Sequence, residues 1–114
     1  MSCFKVLTQN IHGGRTTEKK RKLVHEVYKY RYDFFMFQDT HFRTQDIIEL
    51  QNMIPEYKIY GTAKEHESRG TLVLISKKLS LEVLDVKNDP FCNYTLVKIR
   101  LDGKTFAPKL YFEK

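Results

Sequence analysis

Apolar residues follow two different repeats along the first third of the chain. Residues 4–9 and 33–37 are short, mostly apolar runs, as expected for buried strands. Between them, apolar positions recur every three or four residues over residues 18–32, which is typical of an amphipathic helix. Thr17 precedes this segment and is the predicted N-cap. The pattern therefore predicts a β-α-β unit.

The second part of the chain changes from a short helix to strands. Thr44 is predicted to cap a second helix, which Pro55 terminates. Four strand-like segments follow, at residues 58–60, 71–76, 79–86 and 94–101, and Asp102-Gly103 after the last is a hairpin-turn dipeptide. The order β-α-β-α-β-β-β-β predicts an α/β or α+β sandwich in a single domain over residues 1–114.

Both strands of the β-α-β unit end in polar residues. Asn10 ends the first strand, and Gln38, Asp39, Thr40 and His41 end the second. Because a β-α-β crossover joins parallel strands, both polar ends emerge at the same edge of the sheet, where α/β proteins place their sites. We therefore expect the side chains of Asn10 and Asp39 to converge on one rim.

Composition is that of a small globular domain, with 114 residues, 41% of them hydrophobic and 30% charged. No apolar stretch approaches the roughly 18 residues that cross a bilayer, and the N-terminus lacks the pattern of a secretory signal. We expect an intracellular protein, nuclear or cytoplasmic, that is neither secreted nor in a membrane. Cys3 and Cys92 lie in apolar runs without metal-site spacing and are predicted to be small buried residues.

Basic residues exceed acidic ones, 20 to 14, which gives a net charge of +6 and favours polyanionic partners. Much of the excess lies in Arg15 and in the run Lys-Lys-Arg-Lys at residues 19–22. If this face flanks the rim, it attracts a phosphate backbone, and the alternative is a solvated helix face. Gly13-Gly14-Arg15 is open to two interpretations, an approach of backbone amides to a phosphate or a plain turn.

Three short motifs follow one another along the predicted elements: the turn Asn10-Ile11-His12-Gly13, the string Gln38-Asp39-Thr40-His41, and Glu-Ser-Arg-Gly-Thr-Leu-Val-Leu-Ile-Ser-Lys at residues 67–77. In this order and spacing they resemble the N-terminal half of the endonuclease/exonuclease/phosphatase superfamily. The similarity is greatest to the apurinic-type endonuclease domain that accompanies LINE-type reverse transcriptases, and it covers about residues 4–106. It implies a partial four-layer α/β sandwich of the deoxyribonuclease I-like type.

The resemblance also implies a chemistry, the hydrolysis of phosphodiester bonds in DNA with a divalent metal, Mg²⁺ (or Mn²⁺). In such enzymes the residue at the Asp39 position is the main metal ligand, and the residue at the Asn10 position binds the metal or the scissile phosphate. One carboxylate beside an amide suffices to begin a magnesium site, because Mg²⁺ keeps several waters. The resemblance adds Gln38, His12 and His41 as candidates for contacts around the metal or with the substrate. It adds Arg69 as a candidate for a phosphate contact, as the charge pattern does for Arg15.

Two departures from the family pattern bear on activity. The family usually carries Gln-Glu where this chain has Gln38-Asp39, and its later motifs, which supply a water-activating base and a C-terminal His, are absent. We therefore expect the isolated chain to be the inactive N-terminal half of such a domain. The alternatives are a degenerate, non-enzymatic fragment with weak polyanion or protein binding, and a phosphoinositide or sphingomyelin phosphodiesterase of the same superfamily.

A half sandwich is also expected to lack cover for one sheet. An apolar face that includes Leu72, Leu74, Val97 and Ile99 is then exposed or covered by a second copy of the chain, which predicts self-association.

Overall fold

The structure of the protein, a computed structural model, describes residues 4–63, 69–91, 94–101, 104–106 and 109–111. The predictions for Cys3, Cys92 and the turn Asp102-Gly103 lie outside the described residues, as does the start of the third motif.

The elements follow one another in the order β1 (Val6–Asn10), α1 (Thr17–Tyr30), β2 (Phe34–Gln38), α2 (Thr44–Met53), β3 (Tyr57–Gly61), β4 (Thr71–Ser76), β5 (Leu81–Asn88), β6 (Tyr94–Leu101), β7 (Lys104–Phe106) and β8 (Lys109–Tyr111). The first eight confirm the predicted order. β7 and β8, of three residues each, were not predicted.

The start and the end of α1 differ from the prediction. Thr16, and not Thr17, is the N-cap: its backbone is extended, and its hydroxyl accepts a hydrogen bond from the Lys19 amide at 3.2 Å. The helix ends at Tyr30, two residues early, because Arg31 adopts the left-handed conformation with φ 51°. Two adjacent threonines are equivalent cap candidates in a sequence, so only the backbone geometry separates them.

The predicted cap of α2 is also wrong. Arg43, and not Thr44, is the N-cap. The capping group is the side chain of Asp46, which lies in the first turn of the helix. The carboxylate of Asp46 accepts the backbone N–H of Arg43 at 2.8 Å and the Arg43 side-chain Nε at 3.0 Å. The helix ends at Met53, ahead of Pro55, as predicted.

The first sheet has the strand order β1-β2-β4-β3. β1 and β2 pair in parallel, from Val6 with Phe34 to Asn10 with Gln38, which confirms the β-α-β unit. β4 runs antiparallel to both of its neighbours. The larger core lies between this sheet and the two helices. It is formed by Leu23, Val27, Phe35, Phe37, Phe42, Leu50, Ile54, Tyr57, Ile59, Leu72 and Leu74.

The second sheet consists of β5, β6 and β7, with β8 paired to β6. It packs against the other side of the first sheet through a smaller core, formed by Phe34, Val73, Ile75, Val97 and Ile99. The described residues thus form a helix layer and two sheet layers. This arrangement is a partial α/β sandwich of the deoxyribonuclease I-like type.

The predicted exposed sheet face is wrong. Leu72, Leu74, Val97 and Ile99 are all 0% exposed. Leu72 and Leu74 pack under the helices, and the other two face the first sheet, so both faces of β4 are covered from within the described chain. The exposed large apolar side chains lie elsewhere.

Two exposed apolar side chains lie at an open strand edge. β1 ends the first sheet among the described residues. Val6 on this strand is 44% exposed and Phe4 before it is 39% exposed. No helix of the described residues has the length and apolar character of a membrane span.

Candidate metal and phosphate site

The rim, as we call the edge of the first sheet where β1 and β2 end, carries Asn10, Gln38 and Asp39. Asn10 pairs with Gln38 across the last register position of the parallel strands, and Asp39 follows one residue later. The loops beyond the strands stay connected, since the N–H of Gly13 donates to the Asp39 carbonyl at 2.7 Å and that of Gly14 to the Thr40 carbonyl at 2.8 Å. Asn10 and Asp39 therefore lie at adjacent strand ends.

The two glycines of the first loop serve close packing. A Cβ on Gly13 (φ 86°) would lie 3.1 Å from Nδ1 of His41, and one on Gly14 would lie 2.8 Å from the ring of Phe42. Because their N–H groups already bind the carbonyls of the second loop, these amides do not cradle a phosphate, and the interpretation as a turn is correct.

Left-handed backbone conformations concentrate at the rim. His12, Asp39 and His41 have φ values of 56°, 55° and 56°. Asp and His tolerate this region better than most residues, yet each such residue still costs on the order of 1–3 kcal/mol and persists only where its surroundings hold it. Gly70 (φ 147°) contributes, because a Cβ there would lie 2.5 Å from Oγ1 of Thr40. Strain of this kind clusters at functional sites.

The Asp39 carboxylate lies between two imidazoles. Nε2 of His41 is 2.5 Å from one carboxylate oxygen, and Nδ1 of His12 is 3.7 Å from the other. The side chain of Asp39 is 18% exposed, that of His41 32% and that of His12 79%. The Asn10 amide oxygen accepts the backbone N–H of His12 at 2.9 Å. The rim thus brings both predicted histidines to Asp39, and a solvent path to the carboxylate remains.

Two of the cations near the rim bind the loop backbone. Nε of Arg15 donates to the His41 carbonyl, and Nζ of Lys19 donates to the His12 carbonyl at 3.3 Å. Both side chains are exposed and place positive charge on the loops that carry His41 and His12. Arg69, half-buried, precedes Gly70, which packs on Thr40, so chain connectivity places it at the same end of the sheet.

The basic run at residues 19–22 does not form one cationic face. Lys20 is only 4% exposed, and its ammonium lies 2.6 Å from Asp46 and 2.5 Å from Glu49, on α2. It is not available to a polyanion. Arg21 and Lys22 are exposed. The prediction of a phosphate-attracting face is therefore wrong for Lys20, and the exposure of the other three residues fits both that face and a solvated helix face.

A buried chain of hydroxyl groups joins the two sheets at the rim end. Oγ1 of Thr71 lies 2.6 Å from Oγ1 of Thr95, which donates to the Asn88 amide oxygen at 2.9 Å. On the other side, the Thr71 N–H donates to Oγ1 of Thr62 at 2.9 Å. Thr71 pairs with Gln38, so this network supports the strand that adjoins the rim. Threonine is an ordinary strand former, so these residues carry no signal of the network in the sequence pattern.

The donor atoms at the rim suit a hard divalent cation. Asp39 supplies carboxylate oxygens and Asn10 an amide oxygen, and Mg²⁺ binds one or two such groups while keeping water in its other positions. Among the described residues, no three His, Cys, Asp or Glu side chains are grouped closely enough to hold a metal by themselves. The residues present therefore fit a partial, water-rich site and not a closed metal cage.

Three solved structures show the same fold. AP endonuclease LMAP from Leishmania major matches with a TM-score of 0.71 at 15% identity, over 96% of this chain and 40% of that one. TDP2 from D. rerio, complexed with single-strand DNA product, matches with 0.69 at 13% identity, over 91% and 43%. An endonuclease/exonuclease/phosphatase from Bacteroides vulgatus matches with 0.68 at 17% identity, over 90% and 49%. No family model and no curated protein matches the sequence.

These similarities establish the class of fold. The chain has the fold of the endonuclease/exonuclease/phosphatase proteins, as the three sequence motifs predicted. It spans less than half the length of each of the three matched structures. This chain, including the rim, therefore corresponds to only part of each matched structure.

Proposed function

We propose that the chain supplies the N-terminal part of a divalent-metal-dependent phosphodiesterase, and that the complete protein is a DNA endonuclease of the apurinic or retrotransposon type. The observation that carries this proposal is the placement of Asn10 and Asp39 at the ends of adjacent parallel strands, in a strained and tightly bonded pair of loops. Oxygen donors, nearby cations and the fold itself agree with it.

Each rim residue has a role in this proposal. Asp39 provides the negative charge that holds Mg²⁺ (or Mn²⁺), and Asn10 offers an amide oxygen to the metal or its N–H₂ group to a phosphate. His41, bound to Asp39 at 2.5 Å, fixes the orientation of the carboxylate, and Arg15 and Arg69 attract the phosphate backbone. When bound, the ion polarises a phosphoryl oxygen and stabilises charge on the leaving oxygen.

Asp39 stands where the family usually has Glu, and its backbone conformation bears on this difference. The shorter side chain retracts the carboxylate by about one methylene, and a metal site tolerates such a displacement only if the backbone adjusts. Asp39 has left-handed backbone dihedrals, with φ 55°, which changes the direction of its Cα–Cβ bond relative to an extended residue. We propose that this turn compensates for the lost length.

The isolated chain is proposed to be inactive. Of the rim residues Asn10, Gln38 and Asp39, only Asp39 is acidic, and the two amides cannot act as a base that activates water. General acid–base catalysis contributes roughly 10²- to 10⁴-fold. A nicking assay on plasmid DNA and on abasic-site DNA in Mg²⁺ tests this. We expect no nicking by the wild-type chain. Nicking that Asp39→Ala abolishes would show instead that the chain is an enzyme by itself.

The two alternatives differ in what they bind. A non-enzymatic fragment binds DNA through charge alone, so Mg²⁺ weakens its binding as a competing counterion, in the wild type and in Asp39→Ala alike. A phosphoinositide or sphingomyelin phosphodiesterase prefers lipid headgroups. Fluorescence anisotropy with duplex DNA, compared with binding to phosphoinositide-containing vesicles, separates them. The endonuclease proposal expects binding to DNA that Mg²⁺ strengthens in the wild type and not in Asp39→Ala.

A further inference from the structure

A groove with a volume of about 310 Å³ lies at the end of the sandwich opposite the rim. β4 runs from Thr71, which pairs with Gln38 at the rim, to Ser76, which lines the groove. Ile75 of β4 also lines it, and the remaining lining residues come from β3, from β5 and from the turn that precedes β5. The groove is therefore separate from the candidate metal site and shares no residue with it.

The floor of the groove is aliphatic. Leu79, Leu81 and Val83 line it and are half-buried, with one part of each side chain packed on the core between the sheets. The remaining part of each side chain is open to the groove. Contact with an aliphatic ligand would remove this apolar surface from water, which favours binding.

The mouth of the groove is cationic. Lys58 and Lys77 line it and are exposed, and neither has a carboxylate partner within 4.0 Å among the described residues. Nζ of Lys58 lies 5.9 Å from the ring centroid of Tyr60, which holds this ammonium beside the groove. Burial raises the pKa of Tyr60, so its hydroxyl remains protonated at neutral pH and can donate a hydrogen bond.

We propose that this groove binds a medium-chain aliphatic carboxylate, with the head between Lys58 and Lys77 and the chain on Leu79, Leu81 and Val83. Charge complementarity selects an anionic head, and the aliphatic floor selects a flexible hydrocarbon tail. A nucleobase has less to gain, because Tyr60 is the one aromatic residue that lines the groove and its ring already lies beside Lys58. The volume is at the lower end of the range for small-molecule sites, which matches a single short chain.

The test is a titration of the whole chain with decanoate. Binding is measured by calorimetry and by the shifts of the methyl resonances of Leu, Val and Ile. We expect saturable binding with shifts at Ile75, Leu79, Leu81 and Val83. Decanol, which lacks the charge, should bind at least about tenfold more weakly, since hydrogen bonds to charged groups contribute about that factor. A cationic amphiphile of the same length should bind more weakly still.

Paired variants locate the head and the tail. Lys58→Gln with Lys77→Gln should weaken decanoate binding about tenfold and leave decanol binding unchanged. The matched control is Lys87→Gln with Lys98→Gln, two exposed lysines of the second sheet that do not line the groove, and it should change neither. Val83→Thr should weaken both ligands.

Several results would overturn the proposal. Equal binding of the anionic and cationic amphiphiles would show that no charge selection occurs, and an equal loss in the control pair would assign the effect to net charge. Methyl shifts outside the groove would place the site elsewhere. Displacement of decanoate by a short oligonucleotide or by an acidic peptide would assign Lys58 and Lys77 to a polymer surface.

Discussion

The substitution Asp46→Asn removes the central charge of a buried ion cluster that joins α1 to α2. Asp46 is 0% exposed, and its carboxylate contacts Nζ of Lys20 at 2.6 Å and the backbone N–H of Arg43 at 2.8 Å. Lys20 is itself 4% exposed and also contacts Glu49 at 2.5 Å. Loss of the charge leaves the buried ammonium with one half-exposed partner.

The magnitude follows from the pKa of Asp46. Burial by itself raises this pKa, but hydrogen bonds from Arg43 and Lys20 outweigh it and lower the pKa from 3.8 to about 2. At about 1.36 kcal/mol per pKa unit, this fall corresponds to a contribution on the order of 2 kcal/mol to stability at neutral pH. Because the folded-state pKa is depressed, this stability is present above pH 3.8 and is lost as the pH falls through about 2. Breaking a buried pair by removing one partner costs about 3–5 kcal/mol, so we expect a loss of about 2–4 kcal/mol.

Urea denaturation followed by far-ultraviolet circular dichroism measures the loss. Asp46→Asn should lower the free energy of unfolding by about 2–4 kcal/mol at pH 7, and the difference from wild type should shrink as the pH is lowered from 5 towards 2. Asp85→Asn, on the exposed side of β5, is the matched control and should change stability by less than about 0.5 kcal/mol. A loss at Asp46 as small as in the control, or one that is constant with pH, would refute the ion-cluster argument.

Two further substitutions test the open edge and the rim loop. The open edge of β1 predicts that the chain self-associates through this strand, and Val6→Lys should then reduce the association, because edge lysines block strand pairing. A wild-type sedimentation coefficient that is constant over a concentration series, or one that Val6→Lys leaves unchanged, would contradict this role of β1. Gly13→Ala adds a Cβ to a residue with φ 86°, 3.1 Å from Nδ1 of His41. It should lower the free energy of unfolding by about 1 kcal/mol or more and shift the His41 ring resonances. A gain in stability would show that this backbone conformation is not required.

The element order was predictable because the periods of the apolar residues differ. A helical period between two short apolar runs identifies α1, and alternation identifies β6. The β-α-β topology then follows from the rule for parallel strands, and it places Asn10 beside Gln38 without further information. This local logic was enough to locate the rim.

Contacts between distant segments were not predictable. Lys20 lies in a run of four basic residues, and nothing in the run distinguishes it from its neighbours until α2, 26 positions away, brings Asp46 to it. Likewise, Leu72 and Val97 are buried because helices and sheets from different parts of the chain meet over them, so the predicted exposed face failed. The left-handed conformation of Asp39 depends in the same way on loops that pack from three segments.

The central claim is that Asn10 and Asp39 form a partial site for a divalent cation at the rim. The most direct test is a ¹H–¹⁵N spectrum of the chain with substoichiometric Mn²⁺, the paramagnetic substitute for Mg²⁺. We expect selective broadening of the amide signals around Asn10 and Asp39, reversal by excess Mg²⁺, and loss of the effect in Asp39→Ala but not in the exposed control Asp85→Ala. Broadening that survives Asp39→Ala, or that centres away from the rim, would contradict the claim.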